Sequence, residues 1–329
     1  MRTTSIQAAA MCAALAFASQ ARSADLPLPK DGWASWEVQA VEDSPAWCCW
    51  SSSDSAAADT SASKLDADRQ GYGSRDKART DAIRVYARFA GGKVEKVRAL
   101  AATCPVESKT PIQKLDHVET DDSARWLIGL AKTPDSEFGE EALGALAMHR
   151  SAVAFDALST MARVDAQEEI RKRAIFWLAM LRGTAGADIT THAMFNDPSA
   201  EVRKHAAFAI TLSKSPRVSA DLIKLGNTDK DGDVRAQAWF WLAHNGAADV
   251  ENSIIAASKQ DADNNVRELT IFALSQLPDE RATPALIKAA EDKSLSREQR
   301  KRALFWLAQS ESPGAQTYLD KVLAGNRPN

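Results

Sequence analysis

The sequence predicts a mainly α-helical protein, an α-solenoid of stacked helical hairpins preceded by a small β-containing module. Three observations lead to this fold class. Arginines recur at intervals of 32, 32, 32 and 33 residues, at Arg171, Arg203, Arg235, Arg267 and Arg300. The apolar residues around each arginine follow the helical period, whereas the chain before about residue 118 alternates as strands do. A constant period of this length is typical of stacked-repeat proteins, in which each unit buries its apolar side against the next.

The first segment, residues 1–23, has the composition of an export signal. Arg2 supplies a positive charge, and the Ala-rich apolar stretch from Ile6 to Phe17 is too short to span a bilayer. Ala21 and Ser23 place small residues at the −3 and −1 positions of a cleavage site. We therefore expect an exported protein, in the periplasm or outside the cell. A frayed apolar N-terminus of a cytosolic protein is the alternative.

Composition and charge exclude several classes of partner. The chain is 45% hydrophobic and 26% charged, which is ordinary for a soluble protein with a sizeable core. Without residues 1–23 it carries 39 basic and 44 acidic residues, a net charge of −5. Because no strong positive field results, we expect no nucleic-acid partner. We also expect no membrane span, and a monomer.

The cysteines lie early in the chain. After removal of Cys12 with the signal, Cys48, Cys49 and Cys104 remain. An oxidising compartment favours one disulfide among them, and pairing of Cys48 or Cys49 with Cys104 would stabilise by roughly 4 kcal/mol at most. A vicinal Cys48–Cys49 bridge would be strained, and a metal site is disfavoured because only His117 is near.

Residues 24–118 form the non-repeating module. Alternation predicts a strand at residues 36–40, and a β-hairpin whose first strand is residues 83–89, with a turn at Gly91-Gly92. Residues 51–74 are rich in Ser, Ala, Asp and Gly, which predicts a mobile loop.

Four tryptophans fall within residues 33–50: Trp33, Trp36, Trp47 and Trp50. Tryptophan at this density predicts a small aromatic core, with a platform for an aromatic ligand as the alternative.

Residues 119–329 are predicted to form about six helical hairpins and a closing helix. Relative to each arginine, the position before it, the third after it and the seventh after it form one helical stripe. The stripe is Ile170, Val202, Val234, Val266 and Gln299, then Ala174, Ala206, Ala238, Thr270 and Ala303, then Leu178, Ile210, Leu242, Leu274 and Leu307. The sixth position joins it, with Trp177, Ala209, Trp241, Ala273 and Trp306.

The pattern Asp-x-x-x-x-Val-Arg-x-x-Ala-x-x-x-Leu resembles the HEAT-like repeat, including the short form of phycobilisome lyases, over about 200 of 329 residues. The resemblance implies a right-handed α-solenoid in which the aspartates and arginines stack into a polar ladder. The matching pairs are Asp165/Arg171, Asp197/Arg203, Asp229/Arg235 and Asp261/Arg267, whereas Ser294 precedes Arg300 in the last copy. The aspartate can cap the second helix, with Pro198 at a first helical position, and the planar arginine can bridge carboxylates or carbonyls.

Every copy has phenylalanine five residues after its arginine: Phe176, Phe208, Phe240, Phe272 and Phe305. The resemblance places this helix on the concave face, where the rings would form an apolar strip for an extended peptide or a partner's amphipathic helix. Lys172, Arg173, Lys204, His205, Lys301 and Arg302 could line its edge. The alternative is lateral packing between neighbouring helices.

Catalysis has little support in the sequence. It contains no Gly-rich phosphate loop, no Gly-x-Ser-x-Gly elbow and no His-Glu-x-x-His, and none of its five histidines precedes a glutamate. His205 and His244 could approach each other, but two histidines without a carboxylate make a poor metal site. We therefore expect no catalytic residues, cofactor or metal.

These observations favour an exported, non-catalytic scaffold that binds another protein. A lyase or chaperone-like enzyme acting on a bound chromophore or cofactor is the alternative, by analogy of fold alone. A purely structural spacer is the third hypothesis.

Overall fold

The computed structural model describes residues 26–50, 62–67, 71–73, 78–132, 137–246 and 248–325. The expected signal at 1–23 and much of the predicted loop at 51–74 lie outside these ranges. Within them, thirteen α-helices follow a small N-terminal sheet, which confirms the mainly helical class. None of the helices in the described ranges is long and apolar enough to cross a bilayer.

The N-terminal module contains one main sheet and two short pairs of strands. Its strands are β1 (Gly32–Gln39), β2 (Cys48–Trp50), β3 (Ser63–Lys64), β4 (Gly71–Gly73), β5 (Ala82–Ala90), β6 (Lys93–Ala101), β7 (Val106–Glu107) and β8 (Ile112–Lys114). The main sheet has the order β6-β5-β1-β8, with β8 parallel to β1 and the other neighbours antiparallel. β2 pairs with β4, and β3 pairs with β7.

The strand alternation divides the sheet into two buried faces. One face, which includes Trp36 and Val85, packs into the same core as the helices. The other face, which includes Trp33 and Tyr86, forms a second cluster with Leu65 and Cys104. The two central tryptophans of β1 therefore serve different cores, although they are three residues apart.

Part of the predicted mobile loop is structured. Ser63–Lys64 and Gly71–Gly73 are strands, and Leu65 is fully buried in the second cluster. Asp66 accepts hydrogen bonds from Trp33 Nε1 (3.1 Å), Arg88 Nη1 (2.9 Å) and the backbone N–H of Lys109 (2.7 Å). The buried side chain of Leu65 and the hydrogen-bonded carboxylate of Asp66 thus fix this segment in place, although its composition predicts a loop.

A disulfide joins Cys48 to Cys104, with a Cα–Cα distance of 5.6 Å across 56 residues of sequence. Cys49 follows in β2 opposite Tyr72. The bridge ties β2 to the turn after β6, at the second cluster of the module.

The helices form six hairpins and a closing helix. They are α1 (Thr120–Ala131), α2 (Glu137–Met148), α3 (Ala152–Val164), α4 (Glu168–Leu181), α5 (Gly183–Asn196), α6 (Ala200–Ala209), α7 (Val218–Thr228), α8 (Gly232–His244), α9 (Glu251–Gln260), α10 (Asn264–Ser275), α11 (Asp279–Glu291), α12 (Arg297–Gln309) and α13 (Pro313–Leu323). A short 3₁₀ turn, Ile210–Leu212, follows α6. The even-numbered helices pack against one another along the stack, and those from α4 to α12 carry the repeated arginines.

The repeated aspartates shape the turn inside each hairpin. Asp197 is the C-cap of α5, and its Oδ1 accepts the N–H of Ser199 at 2.9 Å. Ser199 in turn is the N-cap of α6, so Pro198 lies before the cap and not at the first helical position. The aspartate therefore closes the turn and leaves the direct capping of the second helix to the residue two positions on.

The sheet covers the free end of the first hairpin through a buried chain of hydrogen bonds. Trp36 Nε1 donates to Ser123 Oγ (2.7 Å), and Ser123 Oγ lies 2.8 Å from Nε2 of His149. His149 Nδ1 lies 2.7 Å from the carbonyl of Ala145. Because a carbonyl oxygen can only accept, His149 carries its proton on Nδ1, and the unprotonated Nε2 of the neutral ring accepts from the Ser123 hydroxyl. The buried Arg98 adds an ion pair with Glu141 of α2.

Candidate partner-binding surface

The repeated arginines form a polar ladder between hairpins. Arg171 donates from Nε and Nη2 to the carboxylate of Asp197 at 2.9 and 3.1 Å. Arg203 binds Asp229 in the same way at 2.8 and 2.9 Å. Arg235 binds Asp261 at 2.8 and 2.7 Å. Each carboxylate belongs to the next hairpin, 26 residues on, so every pair joins two units.

The aspartate of the same hairpin contributes its main chain. Arg171 Nη1 donates to the carbonyl of Asp165 at 2.8 Å, and Arg203 Nη1 to that of Asp197 at 3.0 Å. The hydrogen bond to Asp229 raises the pKa of Arg203, against the opposing effect of burial. The ladder is thus made of two-pronged, largely buried pairs, the geometry in which the arginine fork is strongest.

The ladder ends at Arg267. Its guanidinium donates to the Asp261 carbonyl and to Asn264, with no carboxylate bound to it among the described residues. Asp292 occupies the equivalent C-cap of α11 but pairs with Lys259 at 2.6 Å. The following turn is two residues longer than its counterparts, and Arg300 donates to the carbonyl of Leu295. Sequence alignment on the arginines therefore missed Asp292 and placed Ser294 at its position.

The five phenylalanines lie in one row of contacting rings. We define the aromatic row as these five rings with Trp47, Trp177, Trp241 and Trp306. Neighbouring ring centroids are 6.0 Å apart for Trp47–Trp177, 5.2 Å for Trp177–Phe176, 6.2 Å for Phe176–Phe208, 4.8 Å for Phe208–Trp241, 4.8 Å for Trp241–Phe240, 5.7 Å for Phe240–Phe272, 4.9 Å for Phe272–Trp306 and 5.0 Å for Trp306–Phe305. The row runs from the N-terminal module to the last full hairpin without a gap.

Both interpretations of the phenylalanines describe part of this geometry. Phe176 and Phe208 are stacked, as are Phe240 and Phe272, so the rings pack laterally between neighbouring helices. They also remain half-buried, and Phe305 at the end is 54% exposed. The row is therefore a supported apolar surface and not a closed core.

Four of the basic residues predicted at the edge of the strip pair with nearby carboxylates. Lys172 pairs with Glu169, Lys204 with Glu201 at 2.7 Å, and Lys301 with Glu298 at 3.0 Å, each one helical turn away. Arg302 pairs with Glu268 of the preceding hairpin at 2.8 Å. These edges carry balanced charge, and the distinctive property of the surface is its aromatic content.

His205 and His244 lie against rings of the aromatic row. His205 contacts Phe208 at 5.9 Å between ring centroids, and His244 stacks on Phe240 at 5.8 Å. Burial, aided by the nearby charge of Lys172, lowers the pKa of His205. The described residues contain no group of three or more His, Cys, Asp or Glu side chains that could hold a metal ion.

Helical position predicts that Trp177, Trp241 and Trp306 join the apolar stripe, and composition predicts that Trp47 belongs to the core of the N-terminal module. One signal in the sequence is the alternation of Trp and Ala at the sixth position, which puts a large ring beside every second phenylalanine. The contribution of Trp47 comes from tertiary packing and has no local signal.

Comparison with known proteins supports the repeat class. Residues 158–243 and 219–308 match the family model of HEAT repeats, which spans the chain from within α3 to near the end of α12. No curated protein matches the chain.

Two solved structures match part of the chain. The YibA protein of Escherichia coli is 21% identical with a TM-score of 0.35, over 61% of this chain and 81% of that chain. Human deoxyhypusine hydroxylase, solved in complex with glycerol, is 14% identical with a TM-score of 0.29, over 61% of this chain and 89% of that chain. Similarity at this level carries no part of the functional argument.

Proposed function

We propose that this protein is an exported, non-catalytic scaffold that holds a partner protein on the aromatic row of a right-handed solenoid of HEAT repeats. The continuity of the row carries the proposal. Nine aromatic rings contact one another in series while the phenylalanine rings remain partly open to solvent. Repeats of this kind commonly serve as protein-interaction modules.

The packing of the helices supports a concave position for the row. The even-numbered helices pack against one another more extensively than the odd-numbered helices do. In a curved stack the more closely packed layer lies on the inner side, and that layer carries all five phenylalanines. A concave apolar surface suits an extended peptide or one face of an amphipathic helix.

The rings are suited to binding because they are held in place before a partner arrives. Phe240, for example, is fixed between Trp241 at 4.8 Å and Phe272 at 5.7 Å. Little side-chain entropy is then lost on association, and aromatic residues supply much of the energy of known interfaces. The local pairing of the edge charges predicts that affinity changes little with salt, since no net charge steers the partner.

The disulfide supports export. Cys48–Cys104 is bonded, and structural disulfides persist mainly in oxidising compartments. The signal at 1–23, which lies outside the described residues, is consistent with this location.

Site-specific photo-crosslinking in intact cells tests the proposal. A photoreactive phenylalanine analogue replaces Phe272 or Phe305 within the row, and Val164, which is 73% exposed outside the row, serves as the matched control position. We expect the same protein to be captured from both row positions and not from position 164. Phe305→Ser should then weaken binding of that captured protein by at least about ten-fold, whereas Leu323→Ser should not.

Three outcomes would contradict the proposal. These are capture of the same proteins from Val164, unchanged affinity in Phe305→Ser, or an absorbing cofactor that co-purifies with the protein in stoichiometric amount. The last result would favour the alternative enzyme acting on a chromophore or cofactor.

A further inference from the structure

We propose that a cleft at the junction of the N-terminal module and the solenoid binds an amphipathic organic carboxylate. This junction cleft has a volume of about 860 Å³. It lies between the segment that follows β1 and the ends of α3, α4 and α5. Its volume is within the range of roughly 300–1,000 Å³ that is usual for small-molecule sites. The proposal is independent of the partner proposed for the aromatic row.

The cleft has an excess of positive charge. Arg79, Arg150 and Arg182 line it, and none of the three forms an ion pair among the described residues, although the pKa of Asp43 is lowered by Lys214 and, to a smaller extent, by the charge of Arg79. Of the two acidic residues in the wall, Asp43 is bound to Lys214 at 2.9 Å. The side chains of the wall thus leave at least two cationic groups without a counter-ion, which an anionic ligand would supply.

Arg182 is the central residue of the site. It is the residue between α4 and α5, and its Nη2 donates to the carbonyl of Leu146 at 3.1 Å. Its Nε is buried and has no hydrogen-bond partner among the described residues. Burial lowers the pKa of Arg182 to about 10. A guanidinium in this position is unfavourable unless an anion compensates its charge, because buried ions are stable mainly as pairs.

The main chain beside Arg182 also favours an anion. Gly183, which lines the cleft, is the first residue of α5, and no side chain in the described part of the chain caps this helix. The first N–H groups of a helix have no partner within it and carry its partial positive charge. The partial positive charge at the start of α5 adds to the charge of the arginines, and the proposed site does not depend on it.

The remaining wall selects an apolar body. Trp47, Phe155 and Leu181 line the cleft, and Trp47 is also the first ring of the aromatic row. A carboxylate near Arg182 would therefore place an alkyl or aryl chain against these rings. The same chemistry could come from a free organic acid or from the C-terminal carboxylate of a polypeptide.

Calorimetric titration of the full-length protein tests the site with two pairs of probes. Octanoate represents a free organic acid and is compared with neutral octanamide. An N-acetylated Ala-Ala-Phe-Leu peptide with a free carboxylate represents a chain terminus and is compared with its C-terminal amide. We expect a carboxylate to bind and its neutral counterpart to bind at least about ten-fold more weakly. The pair with the larger difference identifies the source.

Variants distinguish this site from non-specific binding. Arg182→Met should weaken carboxylate binding at least about ten-fold. Arg79→Gln should weaken it about three-fold, and because Arg79 is exposed, this variant should fold normally. Arg297→Gln, at an exposed position at the start of α12, should have no effect, and neither should Phe305→Ser. Equal binding of acid and amide, or unchanged affinity in both Arg182→Met and Arg79→Gln, would overturn the proposal.

A second measurement separates a ligand-binding Arg182 from a structural one. The carbonyl of Leu146 also accepts the N–H of His149 at 3.2 Å, so Arg182→Met leaves it with a partner. Without added ligand, the unfolding temperature of Arg182→Met should therefore be equal to that of the native protein or about 1–3 °C higher. A decrease of several degrees would show that Arg182 is there for stability, and would count against the site.

Discussion

The two terminal hairpins of the stack are covered in different ways. At the N-terminal end, the sheet packs onto α1 and α2, and Trp36 at the contact is only 1% exposed. At the C-terminal end, α13 covers the last hairpin with a single buried residue, Ala315, and Leu323 is 85% exposed. A solenoid must shield both terminal hairpins from water. Among the described residues, the N-terminal end is closed by a β-sheet and the C-terminal end by an amphipathic helix.

The polar ladder shows the same contrast. Arg171, Arg203 and Arg235 each bind the aspartate of the next hairpin, whereas Arg267, the next arginine of the series, binds no described carboxylate. The comparison indicates that stability is concentrated in the N-terminal and central hairpins. The predictions below test this difference, from the largest expected effect to the smallest.

The first prediction compares an aromatic residue at each end. Trp36→Ala should lower the free energy of unfolding by about 5 kcal/mol, because it leaves a large cavity and removes the hydrogen bond to Ser123. Phe305→Ala, at a 54% exposed ring, should change it by less than about 1 kcal/mol. Urea unfolding followed by circular dichroism measures both. Similar losses in the two variants would show that the ends are equally stabilised.

The second prediction compares two arginines of the same repeat position. Arg203→Ala should cost about 3–5 kcal/mol, because Asp229 is left buried without its partner. Arg267→Ala should cost about 1 kcal/mol or less, since no described carboxylate is left unpaired. Thermal unfolding of both variants is sufficient, and the reverse order of stabilities would contradict the account of the ladder.

The third prediction concerns pH and the N-terminal contact. Burial, together with the nearby Arg182, lowers the pKa of His149 to about 4. The unfolded chain binds a proton below its ordinary pKa of about 6.5, whereas the folded protein does not until about pH 4. The free energy of unfolding should therefore be highest above pH 6.5 and should fall by about 3 kcal/mol as the pH decreases towards 4.

His149→Gln is the control for this titration, and it should remove that part of the pH dependence. Titration of the imidazole by NMR gives an independent measurement. An imidazole that titrates near 6.5 in the folded protein would rule out the proposed burial of a neutral ring.

The smallest effect is expected at Asp292. The hydrogen bonds from Lys259 and Ser294 lower its pKa to about 2. Lys259→Ala should return that pKa towards its ordinary value, as carboxyl NMR would show. Because the pair is partly exposed, the cost in stability should be below about 1 kcal/mol at neutral pH. That contribution should disappear as pH falls from about 4 to 2, when the carboxylate is protonated in both states. A pKa unchanged by the substitution would assign the shift to Ser294 alone.

The repeated hairpins could be predicted from the sequence because the same local pattern recurs. A helical stripe, an aspartate turn and an arginine are short-range features, and the packing of one unit against the next follows from their period. The hairpin β5–β6 was also indicated by simple alternation and a Gly-Gly turn.

Other features depend on contacts that spacing cannot specify. The spacing of Asp197 and Arg203 suits a pair within one unit, yet the carboxylate of Asp197 binds Arg171 of the preceding unit. The chain Trp36–Ser123–His149 joins residues 87 and 26 positions apart. Trp47 of the N-terminal module and Arg182 of the solenoid both line the junction cleft, although they are far apart in the sequence.

The bond from each arginine to the following unit has a consequence for how such a chain can change in length. A duplicated block of 32 residues would bring its own arginine and would present its own aspartate to the copy before it, so the new unit would fit the existing series. Gain or loss of whole blocks therefore preserves the ladder, whereas a shift of one or two residues between an aspartate and its arginine interrupts it, as between Asp292 and Arg300. The 32-residue spacing is thus the length by which the solenoid can gain or lose a repeat without interrupting the ladder.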